Sequence, residues 1–156
     1  MKAVVQRVTR AEVRSAGERV GQIGTGFVVL LGVARSDGEA EALQLADKIF
    51  KLRIFDDADG RMNMPIDSVP GARILLVSQF TLLGTVRKGN RPSYLAAAPP
   101  EHAARLYEHV TARLRELGLG VETGIFRTNM EVELVNDGPV TLLLDTNDWA
   151  PHGVSP

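Results

Sequence analysis

The chain of 156 residues contains no cysteine. That removes disulfides, thiolate metal ligands and a cysteine nucleophile together. An excess of one charge is missing too: 18 Lys and Arg stand against 19 Asp and Glu, a net of −1. The balance excludes a protein that coats nucleic acid through a broad positive surface and leaves room only for a local basic patch. No apolar segment is long enough to span a bilayer, and the opening "MKAVVQRVTRAEV" alternates apolar with charged residues instead of building a signal-peptide core. A cytoplasmic protein with no membrane partner is the expectation. GxSxG, Walker and GxGxxG patterns are absent, and "GQIGTG" reads as a turn between strands. His102 and His109 sit on one expected helix and His152 in the C-terminal tail, with no acidic partner to complete a zinc motif. "FDDADG" breaks calcium-loop spacing after Gly60 and reads as a surface turn. Neither a metal nor a cofactor is expected.

What is present is ordinary globular material, 44% hydrophobic and 24% charged, enough for one domain with its own core. Met1 to Val8 predicts a strand, and Ala11 to Ile23 a hairpin turning at "SAGE" around Gly17. "FVVLLGV", Phe27 to Val33, is apolar throughout and predicts a central buried strand. Ser36 and Glu39 stand at capping-box spacing and open a helix through about Lys51, with Ala42, Leu45, Ala46, Ile49 and Phe50 on one face. A strand end and a turn at Asp59-Gly60 follow, then a strand from Arg73 to Val77 that runs into "SQFTLLG". After the polar loop "TVRKGNRPS", a second helix begins at Pro99-Pro100-Glu101 and ends at Gly118. Residues 121 to 145 read as strands alone. The order predicts a mixed, largely antiparallel α/β fold with two long helices on one side, a single domain over 1–145, and a loosely held tail over 146–156. There is no internal repeat, low-complexity stretch or linker.

Two segments carry more than fold requires. Ser78-Gln79-Phe80-Thr81 places polar residues where an apolar strand ends, a common position for a site; equally, Ser78 and Thr81 satisfy backbone groups as the chain turns. In "VELVNDGPVTLLLD", Asn136-Asp137-Gly138 looks like turn chemistry between two β-runs, and Pro139 suits a strand edge or bulge because it has no N–H for a ladder.

"SQFTL" at 78–82, "KGNRPSY" at 88–94 and "NDGPVT" at 136–141, together with "VVQRVTRAEV", "DADGRMN" and "ARLYEHV", resemble the D-aminoacyl-tRNA deacylase family. The likeness runs from Met1 to about Leu144, in matching order. It implies the family's fold and its reaction, hydrolysis of the ester that joins a D-amino acid, or a mischarged glycine, to the tRNA 3′ end. It implies a homodimer whose Gly138-Pro139 peptide is cis and reaches from one subunit into the site of the other. There the carbonyl oxygens of the dipeptide would clash with an L side chain and tolerate a D one, which is selection by repulsion. Ser78, Gln79, Phe80 and Thr81 would form the catalytic segment. Its backbone N–H groups near Phe80 and Thr81 would stabilise the oxyanion, and a ribose hydroxyl would help to activate water. Thr81 as a covalent nucleophile is the rival, with no base beside it in the sequence.

By the same resemblance Arg7 braces the Gly138-Pro139 loop, and Asn136 and Met130 belong to the supporting set. Arg87, Lys88 and Arg91 are the candidates for phosphate contact with the tRNA acceptor end. One departure stands out: the family's small pair, as in F-G-A-x-M, is replaced by "FRTNM", Phe126 to Met130. Two other readings of the chain remain: a general esterase using Ser78 or Thr81, and a catalytically silent binding dimer.

Overall fold

In the computed structural model, whose described residues are 1–149, the first strand is one long element, β1 (Lys2–Ser15). Ala16 and Gly17, both at positive φ, turn it into β2 (Glu18–Ile23). Such a turn matches the twist of a two-residue hairpin. β3 (Gly26–Gly32) runs antiparallel to β1. It is followed in space by two parallel neighbours, β6 (Arg73–Ser78) and β7 (Gly120–Thr123). The sheet order is β2-β1-β3-β6-β7, with β8 (Met130–Asp145) antiparallel to β1. Between β3 and β6 the chain forms α1 (Glu39–Lys51) and a separate small pair, β4 (Arg53–Asp56) and β5 (Met62–Pro65). α2 (Pro100–Glu116) precedes β7.

The central strands are apolar on both faces because both faces are covered. Phe27, Val29 and Leu31 of β3, with Ile74 and Leu76 of β6, pack with Leu45, Ile49, Leu106, Val110 and Leu114 of the two helices. Val28 of β3 and Leu75 and Val77 of β6 point the other way, into a second cluster with Val8, Ala11, Val13 and Ile23 that contains no helical residue. The two helices therefore lie on one side of a mixed sheet, as the sequence predicts. Arg113 and Asp47, 2.8 Å apart, tie them together.

Three expectations are corrected. α1 is capped at Gly38, whose N–H donates to the Glu41 carboxylate at 2.7 Å, and not by Ser36 with Glu39. The cause lies at Asp37: its buried carboxylate accepts from the Met1 ammonium at 2.7 Å and from the Ala34 N–H at 2.6 Å, which holds the segment before the helix in a turn. The two β-runs around Asn136-Asp137-Gly138 are one strand, not a hairpin. β1 pairs with both halves, Val8 opposite Asn136 and Gln6 opposite Thr141, so that Arg7 alone faces the four residues 137–140. Asp137 to Val140 thus bulge from a continuous ladder. Finally, the tail begins with an ordered 3-10 turn, Thr146–Trp149. Thr146 is buried, its hydroxyl 2.5 Å from the Met1 nitrogen; the rest of the tail, residues 150–156, lies outside the described residues. Among the described residues no helix is long and apolar enough to cross a membrane.

Candidate active site

β6 ends at Ser78, and the chain turns at once into a 3-10 helix, Phe80–Leu83. The turn is pressed against β3: the Gln79 N–H donates to the Leu31 carbonyl at 2.7 Å. Gly32 makes that approach possible, since a Cβ there would stand 2.5 Å from Leu83 Cδ2 and 2.9 Å from the Gln79 carbonyl oxygen. In the first turn of a helix the leading N–H groups have no acceptor within the helix. Leu82 N–H already returns to the Gln79 carbonyl at 3.2 Å. The N–H groups of Phe80 and Thr81 have no protein acceptor among the described residues. Two adjacent backbone donors are therefore available to a ligand oxygen.

Beside them opens a cavity of about 630 Å³, within the range of small-molecule sites. Ser78, Gln79 and Phe80 form one wall, and the segment Phe126 to Met130 another. Tyr107 of α2 closes its floor side against the sheet by donating its hydroxyl to the Leu76 carbonyl at 2.6 Å. Burial pushes that hydroxyl well above the ordinary tyrosine value, so it is a fixed donor and not an acid near neutral pH. Thr81 does not line the cavity; its hydroxyl is 2.5 Å from Gln79 Nε2 and accepts that bond. The exposed Phe80 ring meets Tyr94 edge to face at 5.1 Å. Tyr94 follows a hairpin closed by reciprocal 2.9 Å bonds between Thr85 and Ser93. Arg87, Lys88 and Arg91 are exposed on it, and none is ion-paired among the described residues.

The other predicted residues gather elsewhere, around the β8 bulge. The Gly138-Pro139 peptide is cis and both residues are exposed. Gly138 sits at φ +125, where a Cβ would come within 2.7 Å of Val140 Cγ2. Arg7 is buried beneath them. Its guanidinium donates to the Asp137 carbonyl at 3.2 Å, the Ile54 carbonyl at 2.7 Å and the Asp56 carboxylate at 3.2 Å. Asn136 spans the bulge by donating to the carbonyls of Arg7 at 3.2 Å and Val140 at 2.9 Å. The cavity formed by this chain is not lined by Gly138 or Pro139.

Of the residues singled out in the sequence, the structure thus gathers Ser78, Gln79, Phe80 and Met130 at one cavity, leaves Thr81 off its lining, and groups Arg7, Asn136, Gly138 and Pro139 at the β8 bulge. The sequence does not mark Tyr107 as a cavity wall. Tyr107 reads in sequence as one more residue of an apolar helical stripe, and only its hydroxyl hints at a second duty. His102 Nε2 lies 2.8 Å from the Asp37 carbonyl and His109 Nδ1 3.6 Å from Glu39, both at the junction of α2 with the start of α1 and away from the cavity. His152 lies outside the described residues. No group of three or more His, Asp or Glu side chains able to hold a metal occurs among the described residues.

Residues 4–145 match the family model described as D-Tyr-tRNA(Tyr) deacylase. A D-aminoacyl-tRNA deacylase of Anaeromyxobacter dehalogenans is 63% identical over 94% of this chain and 97% of its own length. The corresponding proteins of Symbiobacterium thermophilum and Thermus aquaticus are 60% and 54% identical over similar spans. Among solved structures, a c-Myc DNA unwinding element binding protein superposes with a TM-score of 0.85 at 42% identity, covering 93% of this chain and 98% of that one. A probable eukaryotic D-amino acid tRNA deacylase superposes at 0.79 with 16% identity over 92% and 97%, a likeness of fold alone. By the match over residues 4–145 and the identity to these relatives, the chain belongs to the D-Tyr-tRNA(Tyr) deacylase family.

Proposed function

We propose that this chain is a hydrolase that cleaves the ester of D-aminoacyl-tRNA, and of glycine misplaced on tRNA, to give the free amino acid and tRNA. The observation that carries the site assignment is the pair of unpartnered N–H groups of Phe80 and Thr81 at the rim of a cavity in a chain of this family. Water adds to the ester carbonyl carbon, and the two N–H groups take the charge that develops on the carbonyl oxygen. Collapse of the tetrahedral species breaks the bond to the ribose oxygen, which takes a proton and leaves as a hydroxyl. The neighbouring ribose hydroxyl relays that proton: it accepts one from the attacking water and passes its own to the departing ribose oxygen, so it is a hydroxyl again at the end. An aminoacyl ester is already activated, which accords with a cavity wall whose only titratable side chains are Tyr107 and Arg127.

Selection against L substrates belongs, in this reading, to Gly138 and Pro139 of a second copy in a homodimer. Two features support it. Gly138 and Pro139 are exposed, and the bulge that carries them is anchored from beneath by Arg7 and Asn136. Rejection by fixed oxygens leaves the D side chain unread, so different D-amino acids are released with similar efficiency. The acceptor end of tRNA is the partner, with Arg87, Lys88 and Arg91 on its phosphates, and the cytoplasm is the place of action.

One tRNA charged separately with D-tyrosine, L-tyrosine and glycine tests the reading. Release of the D and glycyl forms, with the L form intact, is expected. Equal release of D and L forms removes the chiral mechanism and leaves an esterase. Retention of all three by a folded protein would favour a binding role, toward which the likeness to a DNA unwinding element binding protein points.

A further inference from the structure

Arg127 is the only charged side chain among the described residues that line the cavity. It is exposed, it makes no hydrogen bond or ion pair with the described residues, and its backbone sits at φ +64. A left-handed conformation is unfavourable for a residue with a Cβ. The segment around it is nevertheless fixed: Thr128 donates to the Ile125 carbonyl at 3.0 Å, and Ser15 donates to Thr128 Oγ1 at 3.1 Å and to the Asn129 carbonyl at 3.2 Å. A guanidinium is thus carried on a held loop, at a backbone position that suits glycine, beside an otherwise uncharged wall.

We propose that Arg127 binds the phosphate on the 5′ side of the terminal nucleoside of the substrate. The inference rests on the deacylase reading and extends it to orientation. An aminoacylated 3′-terminal nucleotide carries two charges, a positive α-ammonium on the amino acid and a negative phosphate at the other end of the nucleoside. A single cation at the cavity repels the first and attracts the second. Only one way of entering satisfies both, with the phosphate at Arg127 and the aminoacyl group toward the free N–H groups of Phe80 and Thr81. A guanidinium suits this contact because its forked donors match two phosphate oxygens. Arg127 is therefore a positioning residue that acts on binding and register and takes no part in bond cleavage.

The test uses two small esters, 3′-O-D-tyrosyl-adenosine and the same compound with a 5′-phosphate, and compares the full-length protein with R127Q and R127K. Gln keeps the same backbone demand at φ +64, so the fold is not the variable. In the natural chain the phosphate is expected to raise kcat/KM by about tenfold, through KM and not kcat, as for one exposed charge-assisted contact. In R127Q that ratio falls to about one, and R127K restores part of it. On intact tRNA, R127Q lowers the log–log salt slope of KM by about 0.7. A ratio near one in the natural chain, or a ratio unchanged by R127Q, overturns the phosphate contact while the deacylase reading stands. Failure of the natural chain to hydrolyse either ester or D-tyrosyl-tRNA overturns both.

Discussion

Replacing Arg7 by alanine tests the link between the buried arginine and chiral selection. Four acceptors surround the guanidinium, the carbonyls of Ile54 and Asp137 and the carboxylates of Asp56 and Asp137, and the losses differ by site. Ile54 lies in the core, so its carbonyl loses a charged donor where water has little access, an effect of about 1–3 kcal/mol. Asp56 and Asp137 have side chains 51% and 43% exposed. Water replaces the arginine there, and each contributes at most about 1 kcal/mol. With the lost packing of the aliphatic stem, destabilisation of about 3 kcal/mol is expected in equilibrium urea unfolding at fixed protein concentration. The bulge keeps its Asn136 bond to the Val140 carbonyl but loses the Arg7 bond to the Asp137 carbonyl. Its tip is then held from one side only. Single-turnover deacylation of D- and L-tyrosyl-tRNA should show L release rising by about tenfold relative to D, the equivalent of about 1.4 kcal/mol of lost discrimination. Arg7→Lys should recover charge but not the fork of donors, and should lie between. Destabilisation of the expected size with an unchanged D-to-L ratio would refute the bracing role; a loss below about 1 kcal/mol would refute the structural argument beneath it.

Three further outcomes follow from the same geometry. Thr81→Ala should keep the rate on D-tyrosyl-tRNA within about tenfold, because the proposed mechanism uses its N–H and not its hydroxyl; a loss of about 10³ or more would restore the covalent nucleophile. Gly32→Ala should lower stability by about 2 kcal/mol and the rate by more than tenfold, since its Cβ would push Leu83 and the Gln79 carbonyl, and with them the 3-10 turn; unfolding by urea and a kcat measurement on the folded fraction check it. The affinity for tRNA, taken as 1/KM, should fall with salt at a log–log slope near −3, about −0.7 for each single-strand phosphate contact at Arg87, Lys88, Arg91 and Arg127, and each neutral substitution in the hairpin should make the slope shallower by about 0.7; a slope of about −0.7 or shallower removes the hairpin from RNA binding.

How much of this is visible in the chain before folding depends on the range of the interaction. β3 and β6 are legible because both faces are buried, which writes an unbroken apolar run into the sequence. Both helices are legible from the 3.6-residue stripe, yet the start of α1 is not. Ser36 and Glu39 have the local spacing of a cap, but Asp37 is taken by the ammonium of Met1, thirty-six positions away. No window of local residues contains that contact.

At β8 the edge or bulge setting of Pro139 is legible, but the continuity of the strand through it is not, for the same reason. Asn136-Asp137-Gly138 has every local mark of a hairpin turn, and such a turn would fold one β-run back on the other. What decides otherwise is β1, fourteen residues long and able to pair with both halves of β8 at once. Arg7 then supplies donors for the carbonyls that the bulge removes from the ladder, and Asn136 bridges its ends. A motif that reads as a chain reversal becomes a protrusion from an edge strand, with two residues offered to whatever lies beyond it. In the same way, the candidate segment Ser78 to Thr81 is marked in sequence by polar residues at a strand end, while the cavity beside it is completed by residues far away in the chain, among them Leu31, Tyr107 and Phe126 to Met130. The free donors of Phe80 and Thr81 arise from backbone geometry, which no side-chain pattern encodes. A site built as proposed, on main-chain N–H and C=O groups, leaves few residue-type signals, and its sequence would look poor in catalytic groups for that reason.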